Sequence, residues 1–119
     1  MTTSTAPIVH DTTSWVPRDG ATPNPQRLLH GTGLTLVRIS FRAGQLLDEH
    51  RAVGPIFITC VSGVIDLDVT TAAGTTSHVL EPGSVIHIEP GDPHKLLART
   101  DAVVQVVLQR DVRTTRREG

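Results

Sequence analysis

The feature that most constrains the fold of this chain is the regular spacing of turn residues between short apolar segments. From Leu34 onward, turn pairs such as Ser62-Gly63 and Pro82-Gly83 recur about every 8–12 residues. Between the turns, apolar and polar residues alternate, most clearly at Val64–Thr70, where two aspartates alternate with aliphatic residues. No segment shows the period of an amphipathic helix. The pattern predicts an all-β protein, a sandwich or a barrel.

The same pattern predicts the individual strands and the limits of the folded part. We expect strands at Leu34–Phe41, Ile56–Val61, Val64–Thr70, Thr75–Leu80, Ser84–Ile88, His94–Arg99 and Ala102–Leu108. Residues 1–27 are rich in Thr, Pro and Ser, which indicates an extended N-terminal arm, and residues 28–109 form a single barrel domain. The apolar pair Trp15 and Val16 should dock the arm on the barrel or on a partner subunit. Residues 110–119 are a basic tail, interpreted as a solvated chain end.

Composition excludes several classes of function. The net charge is -1, aromatic residues make up 3% and tyrosine is absent, so neither a basic field nor a base-stacking surface for nucleic acid is expected. No apolar run approaches the ~20 residues that span a bilayer, and the first residues do not resemble a signal peptide. The one cysteine, Cys60, cannot form an internal disulfide. We therefore expect a cytoplasmic protein without nucleic-acid or membrane partners.

Two motifs carry a family resemblance. The first is Gly44-x5-His50-x-Ala52, followed by Ile56-x6-Gly63, and the second is Gly83-x5-Glu-Pro-Gly-x2-His94. Together they resemble the two motifs of the cupin superfamily, in particular its small single-domain, RmlC-like members. The resemblance spans residues 34 to 108 and implies a double-stranded β-helix, or jelly-roll, barrel.

The resemblance also implies a metal site, from which this chain departs at two positions. Cupins place a His-x-His pair, a glutamate and a third histidine around iron, manganese, zinc or nickel. A His-x-His pair on a strand puts both imidazoles on one face because side chains alternate with period two. This chain keeps His50 and His94, but Ala52 replaces the second histidine and Ile56 replaces the glutamate. Two imidazoles alone rarely hold a divalent metal, since protein sites usually supply three or more ligands.

Two other residues are candidates for a third ligand. Asp48 shares strand parity with His50 and could face the same cavity, although a surface position is the simpler interpretation. His87 would reach the cavity only if its strand turned that face inward, whereas its neighbours Ile86 and Ile88 are better suited to the interior. Cys60 also points inward by parity and is interpreted as a small buried hydrophobe.

The same parity predicts the wall of a binding pocket, lined by Ala52, Ile56, Ile58, Cys60, Leu96 and Ala98. His50 and His94 would be its main polar groups, with pKa values that desolvation lowers. As a neutral pair, one donor and one acceptor, they could bind a carbonyl or hydroxyl group, or act as acid and base in an isomerase, lyase or cyclase step.

Three classes of function remain open. The first, favoured because the two retained histidines come from different motifs, is a cupin that binds a divalent metal with an incomplete protein ligand set, completed by Asp48, His87, waters or substrate, and acts on or senses a small molecule. The second is a metal-free cupin that binds a small molecule, with or without catalysis. The third is a structural module whose pocket is inert. By analogy with small cupins we expect a homodimer, in which the N-terminal arm is either swapped or docked.

Overall fold

The computed structural model describes residues 7–109, which form strands, turns and an N-terminal arm without helices. The strands are β1 (Asn24–Gly31), β2 (Leu34–Phe41), β3 (Leu46–His50), β4 (Ile56–Ser62), β5 (Ile65–Thr71), β6 (Gly74–Leu80), β7 (Val85–Ile88), β8 (His94–Ala98) and β9 (Ala102–Gln109). No helix long and apolar enough to cross a membrane occurs in this part of the chain. The basic tail predicted at 110–119 lies outside the described residues.

The strands form two antiparallel sheets. One has the order β1-β2-β9-β4-β7 and the other the order β3-β8-β5-β6. The inner faces of both sheets contribute to one core, in which Phe41, Ile58, Ile65 and Leu67 are almost completely buried. The all-β architecture predicted from the sequence is confirmed.

Alternation along β5 shows why the sequence folds in this way. Ile65, Leu67 and Val69 are buried, while Asp66 and Asp68 lie between them on the outer face. Asp66 accepts hydrogen bonds from the Arg99 guanidinium at 2.8–3.0 Å, so its carboxylate is paired on the outer surface of the barrel. A shift of register by one residue would exchange these faces, and the apolar positions therefore fix the pairing of β5 with β6 and β8.

The first strand begins before the predicted limit of the arm. β1 starts at Asn24, so the expected boundary at residue 27 falls inside a strand. The Thr-, Pro- and Ser-rich composition indicated an extended arm here, and a proline has no backbone N–H to donate to a neighbouring strand. β1 is an edge strand of its sheet, however, and such a position tolerates Pro25.

The N-terminal arm docks on the barrel of its own chain. The Trp15 indole Nε1 donates to the Phe41 carbonyl at 2.8 Å, and the backbone N–H of Val16 donates to Ser40 Oγ at 3.0 Å. Nearer the N-terminus of the arm, the Asp11 carbonyl accepts a hydrogen bond from the Arg38 guanidinium at 3.2 Å. These contacts lay the arm across β2. The homodimer expected from the family resemblance stays a prediction.

Candidate functional site

Strands β3 and β8 bring the two motif histidines together. His50 and His94 are cross-strand partners in the β3–β8 ladder, and their ring centroids lie 4.2 Å apart with an angle of 62° between the ring planes. The motif spacing therefore places side chains that are 44 positions apart in the sequence side by side, as the resemblance implied.

Backbone carbonyls orient both imidazoles in the same way. His50 Nδ1 lies 3.0 Å from the Asp48 carbonyl oxygen, and His94 Nδ1 lies 3.0 Å from the Asp92 carbonyl oxygen. A carbonyl oxygen can only accept, so each Nδ1 carries the proton and donates. In the neutral form both Nε2 atoms then carry a lone pair. The pair consequently presents two acceptors, not the donor and acceptor expected from the sequence.

The two histidines differ in their surroundings. His94 is 2% exposed, and its burial lowers the pKa of the imidazole. The hydrogen bond to the Asp92 carbonyl opposes this shift, whereas the proximity of His50 adds to it. His50 itself is exposed at the end of β3. Burial therefore favours the neutral imidazole at His94, with an acceptor at Nε2, whereas His50 beside it is accessible to solvent.

Both histidines line a cavity of about 550 Å³ that opens at this end of the barrel. This volume lies within the range of about 300–1,000 Å³ typical of small-molecule sites. The predicted wall residues Ala52, Ile56, Ile58 and Leu96 line it as expected. Its remaining apolar surface comes from residues that sequence reasoning did not assign to the pocket: Pro25, Val37, Ile39, Leu47, Val53, Val106 and Leu108. Most of these lie on β2 and β9, whose alternation would have placed them on the inner face.

Two predicted pocket residues are buried elsewhere in the core. Cys60 and Ala98 face inward, as parity required, but neither lines the cavity. The Cys60 thiol points to the carbonyl oxygens of Ser62 and Gly63, 3.4 Å from each, and burial raises its pKa. Both residues pack in the apolar core, away from the cavity wall. Inward direction identifies a core residue, but not its depth along the barrel.

Neither candidate for a third ligand reaches the histidine pair. A bulge between Leu47 and His50 interrupts the β3–β8 ladder and breaks the parity that connected Asp48 with His50. The Asp48 side chain is exposed and accepts a hydrogen bond from the backbone N–H of Glu49 at 2.7 Å. His87 is exposed beside Phe57, with their ring centroids 5.4 Å apart.

The residues present do not supply a complete metal site. Within residues 7–109, no group of three or more His, Cys, Asp and Glu side chains is placed to hold a metal ion. The position where the family resemblance implies a glutamate holds Ile56, which is 3% exposed and apolar. The donor set is two imidazole lone pairs, fewer than protein metal sites usually provide.

Sequence reasoning also missed one charged residue at the cavity. Arg51 follows His50 and lines the cavity together with the next three residues, Ala52, Val53 and Gly54. As a loop residue directly after a strand, it carried no periodic signal that could have assigned it to the pocket.

Comparison with known proteins identifies the fold. No protein-family model matches the sequence, and no curated protein matches it either. Among solved structures, the chain is similar to a cupin superfamily protein from Desulfitobacterium hafniense, with 12% identity over 81% of this chain and 84% of that one and a TM-score of 0.70. It is also similar to an RmlC-like cupin from Shewanella frigidimarina, with 20% identity over 81% and 85% of the two chains and a TM-score of 0.68.

A larger enzyme contains a similar domain. Oxalate decarboxylase from Bacillus subtilis, described for its Mn(II) centers, is 16% identical over 65% of this chain and 21% of that one, with a TM-score of 0.62. At these identities the likeness shows the fold. The predicted cupin jelly-roll architecture is confirmed.

Proposed function

We propose that this barrel, which has the cupin fold, binds a small organic molecule that combines an apolar body with a hydrogen-bond donor. The apolar body occupies the cavity between the two sheets, and the donor, such as a hydroxyl group, donates to the Nε2 lone pair of His94, while His50 Nε2 beside it can accept from a second donor. Metal is not required for this mode of binding. The proposal corresponds to the metal-free class among those left open by the sequence.

One observation carries the proposal: His94, itself 2% exposed, lines a cavity whose other walls are mainly aliphatic. A buried acceptor in apolar surroundings discriminates strongly, because a ligand without a matching donor leaves the acceptor unpaired at a cost of about 1–3 kcal/mol. The aliphatic wall then supplies affinity in proportion to the apolar area that it removes from water. This division between apolar walls and few polar groups is typical of small-molecule sites.

The same geometry suits proton transfer from the bound molecule. A neutral His94 can accept a proton at Nε2, and the Asp92 carbonyl stabilises the resulting cation through the Nδ1–H. His50, exposed beside it, can exchange the proton with solvent. The proposed chemistry is thus a general-base step of the kind found in isomerases and lyases. Binding without turnover uses the same contacts.

Octanol is a suitable first probe because it combines an apolar chain with a hydroxyl donor. We expect it to raise the melting temperature of the protein and to bind measurably in calorimetry. Ala52→Phe should abolish both effects by filling the cavity mouth, whereas Ala72→Phe, in the exposed β5–β6 turn, should leave them unchanged. His94→Phe should weaken octanol more than octane. Absence of binding to the wild-type protein would instead favour an inert structural module.

A second candidate function is binding of a divalent metal completed by waters or by the substrate. Two observations favour it: both Nδ1 atoms are tied to carbonyls, which leaves two Nε2 lone pairs available, and the similar oxalate decarboxylase has Mn(II) centers. His50 and His94 would be the protein ligands for iron, zinc, manganese or nickel. The metal would supply Lewis-acid chemistry at the histidine pair.

Metal content distinguishes the two candidates. The purified protein and a His50→Ala variant prepared in parallel should be measured by mass spectrometry after incubation with each metal and removal of the excess. The binding proposal expects far less than one metal per chain in both proteins. A stoichiometric metal that disappears in the variant would favour the second candidate.

A further inference from the structure

We infer that Arg51 makes the cavity selective for anionic ligands, in particular for amphipathic carboxylates that also carry a hydroxyl donor for His94. This inference rests on the proposed function and specifies the chemical class of its ligand. Arg51 lines the cavity at its mouth, where its guanidinium can bind the head group of a ligand whose apolar body lies between the sheets.

The first argument is the charge of the cavity wall. Its described lining residues include one cation, Arg51, and no aspartate or glutamate. The other polar side chains on the wall are His50, His94 and Gln109. An anionic head group would therefore meet an attractive charge and no repulsive one. A cationic head group would meet the opposite.

The second argument is that Arg51 is not engaged elsewhere. Several cations outside the cavity have partners: Arg42 lies 3.6 Å from Asp19, Lys95 lies 4.0 Å from Asp68, and the Arg99 guanidinium lies 2.8 Å from Asp66. Arg51 forms neither an ion pair nor a side-chain hydrogen bond with any of residues 7–109. The exposed Arg27 of β1 has no such partner either, but Arg51 is the one of the two that lines the cavity. Its donors are available to a ligand without the loss of a contact to any of these described residues.

The third argument concerns the acidic residues next to it in the sequence. Asp48 and Glu49 precede His50, but neither lines the cavity. The Asp48 carboxylate is turned to its own backbone, where it accepts from the N–H of Glu49 at 2.7 Å. Both carboxylates beside the bulge in β3 therefore lie outside the cavity wall, whereas Arg51 is part of it. A planar guanidinium matches a carboxylate with two parallel hydrogen bonds.

The test compares octanoate with octanol, which share an apolar chain and differ in the head group. Octanoate carries the charge but lacks the hydroxyl donor for His94. This loss is the same in every Arg51 variant and cancels when the variants are compared. Calorimetry should be performed on the wild-type protein, Arg51→Gln, Arg51→Lys and Arg18→Gln. Arg18 is an exposed arginine of the arm that does not line the cavity, and it provides a control for the loss of one positive charge.

We expect Arg51→Gln to weaken octanoate roughly three- to tenfold, between the effects of an exposed ion pair and of a charged hydrogen bond. Octanol affinity should not change. Arg51→Lys should retain part of the octanoate affinity because it keeps the charge but loses the paired geometry, and Arg18→Gln should resemble the wild type. Added salt should weaken octanoate in the wild type and have little effect on octanol.

The outcomes separate this inference from the function on which it rests. If octanol binds and Arg51→Gln leaves the affinity for octanoate unchanged, the selectivity of Arg51 is refuted while the binding function stands. If Arg18→Gln weakens octanoate as much as Arg51→Gln, a general field effect replaces the specific contact. If neither probe binds the wild-type protein, both proposals fail.

Discussion

Restoring the two positions at which this chain departs from the cupin ligand pattern should convert the histidine pair into a metal site. The double substitution Ala52→His and Ile56→Glu adds an imidazole and a carboxylate to the wall that already carries His50 and His94, because all four positions line the same cavity. Four donors of these types form a complete ligand set. We expect the double variant to bind nickel, manganese, zinc or iron far more tightly than the wild type.

The magnitude follows from the burial of Ile56, which is 3% exposed. Its removal forfeits roughly 2 kcal/mol of hydrophobic stabilisation, and desolvation of the new carboxylate costs several kcal/mol more. A total of roughly 4–6 kcal/mol approaches the whole stability of a small domain, about 5–15 kcal/mol. A free metal concentration of about a thousand times the dissociation constant adds about 4 kcal/mol to the free energy of unfolding, because metal binds only the folded state. The metal-free variant should therefore be barely stable, and metal should restore most of the loss.

Urea unfolding followed by far-ultraviolet circular dichroism measures this difference. The midpoint of the double variant should be low in EDTA and should rise with each metal, whereas the wild-type midpoint should move little. Adding His94→Ala to the double variant should remove the gain. Our reasoning is refuted if the double variant folds in EDTA and gains nothing from any metal, or if the wild type gains as much.

Three further predictions concern pH, the arm and the motif glycines. Because burial lowers the pKa of His94 below its ordinary value of 6.5, the unfolded chain takes up this proton at a higher pH than the folded chain does. Stability should thus be complete above that value and fall as the pH drops below it, by at most about 1.4 kcal/mol per pH unit. His94→Phe should remove this part of the slope in urea titrations, and parallel pH profiles would contradict the assignment. Trp15→Ala should lower the free energy of unfolding by about 1–2 kcal/mol, because it removes the 2.8 Å hydrogen bond to the Phe41 carbonyl and apolar contact area. The arm of this variant should be cleaved at a low protease concentration. Unchanged cleavage would show that the arm docks without Trp15. Gly63→Ala should destabilise the protein more than Gly83→Ala, as measured by chemical denaturation. Both glycines have positive φ, 77° and 94°. A Cβ on Gly63 would lie 2.1 Å from the Asp101 carbonyl oxygen, whereas a Cβ on Gly83 would enter open space. Equal costs, near the roughly 1–2 kcal/mol of the backbone conformation alone, would contradict the steric argument.

Local pattern was sufficient to predict most of the fold. Alternation placed β2 at Leu34–Phe41, and the other predicted strands agree with the observed ones to within one or two residues. β1 was not predicted as a strand, and β3 was assumed only through the strand parity of Asp48 and His50, without bounds. Both are edge strands with irregular pairing, interrupted by a bulge, so their sequences lack the alternation that identifies a half-buried strand.

The site could be predicted only in part because it depends on depth and on local backbone geometry. Parity gave the correct inward direction for Cys60, but a period of two contains no information on how far along the barrel a side chain lies. The bulge in β3 inserts a residue where parity was extrapolated, and this removes Asp48 from the site. The Nδ1 hydrogen bonds, which set the proton on each imidazole, arise from carbonyl positions that no residue type specifies.

The position of Trp15 in the arm has a consequence for spectroscopy. It is the one tryptophan in a chain without tyrosine, and it sits on the arm rather than in the barrel core. Intrinsic fluorescence therefore reports on the detachment of a surface segment, while far-ultraviolet circular dichroism reports on the strands. If the arm detaches before the barrel unfolds, the two signals will give separate transitions. Trp15 thus serves as an intrinsic fluorescent probe of arm detachment.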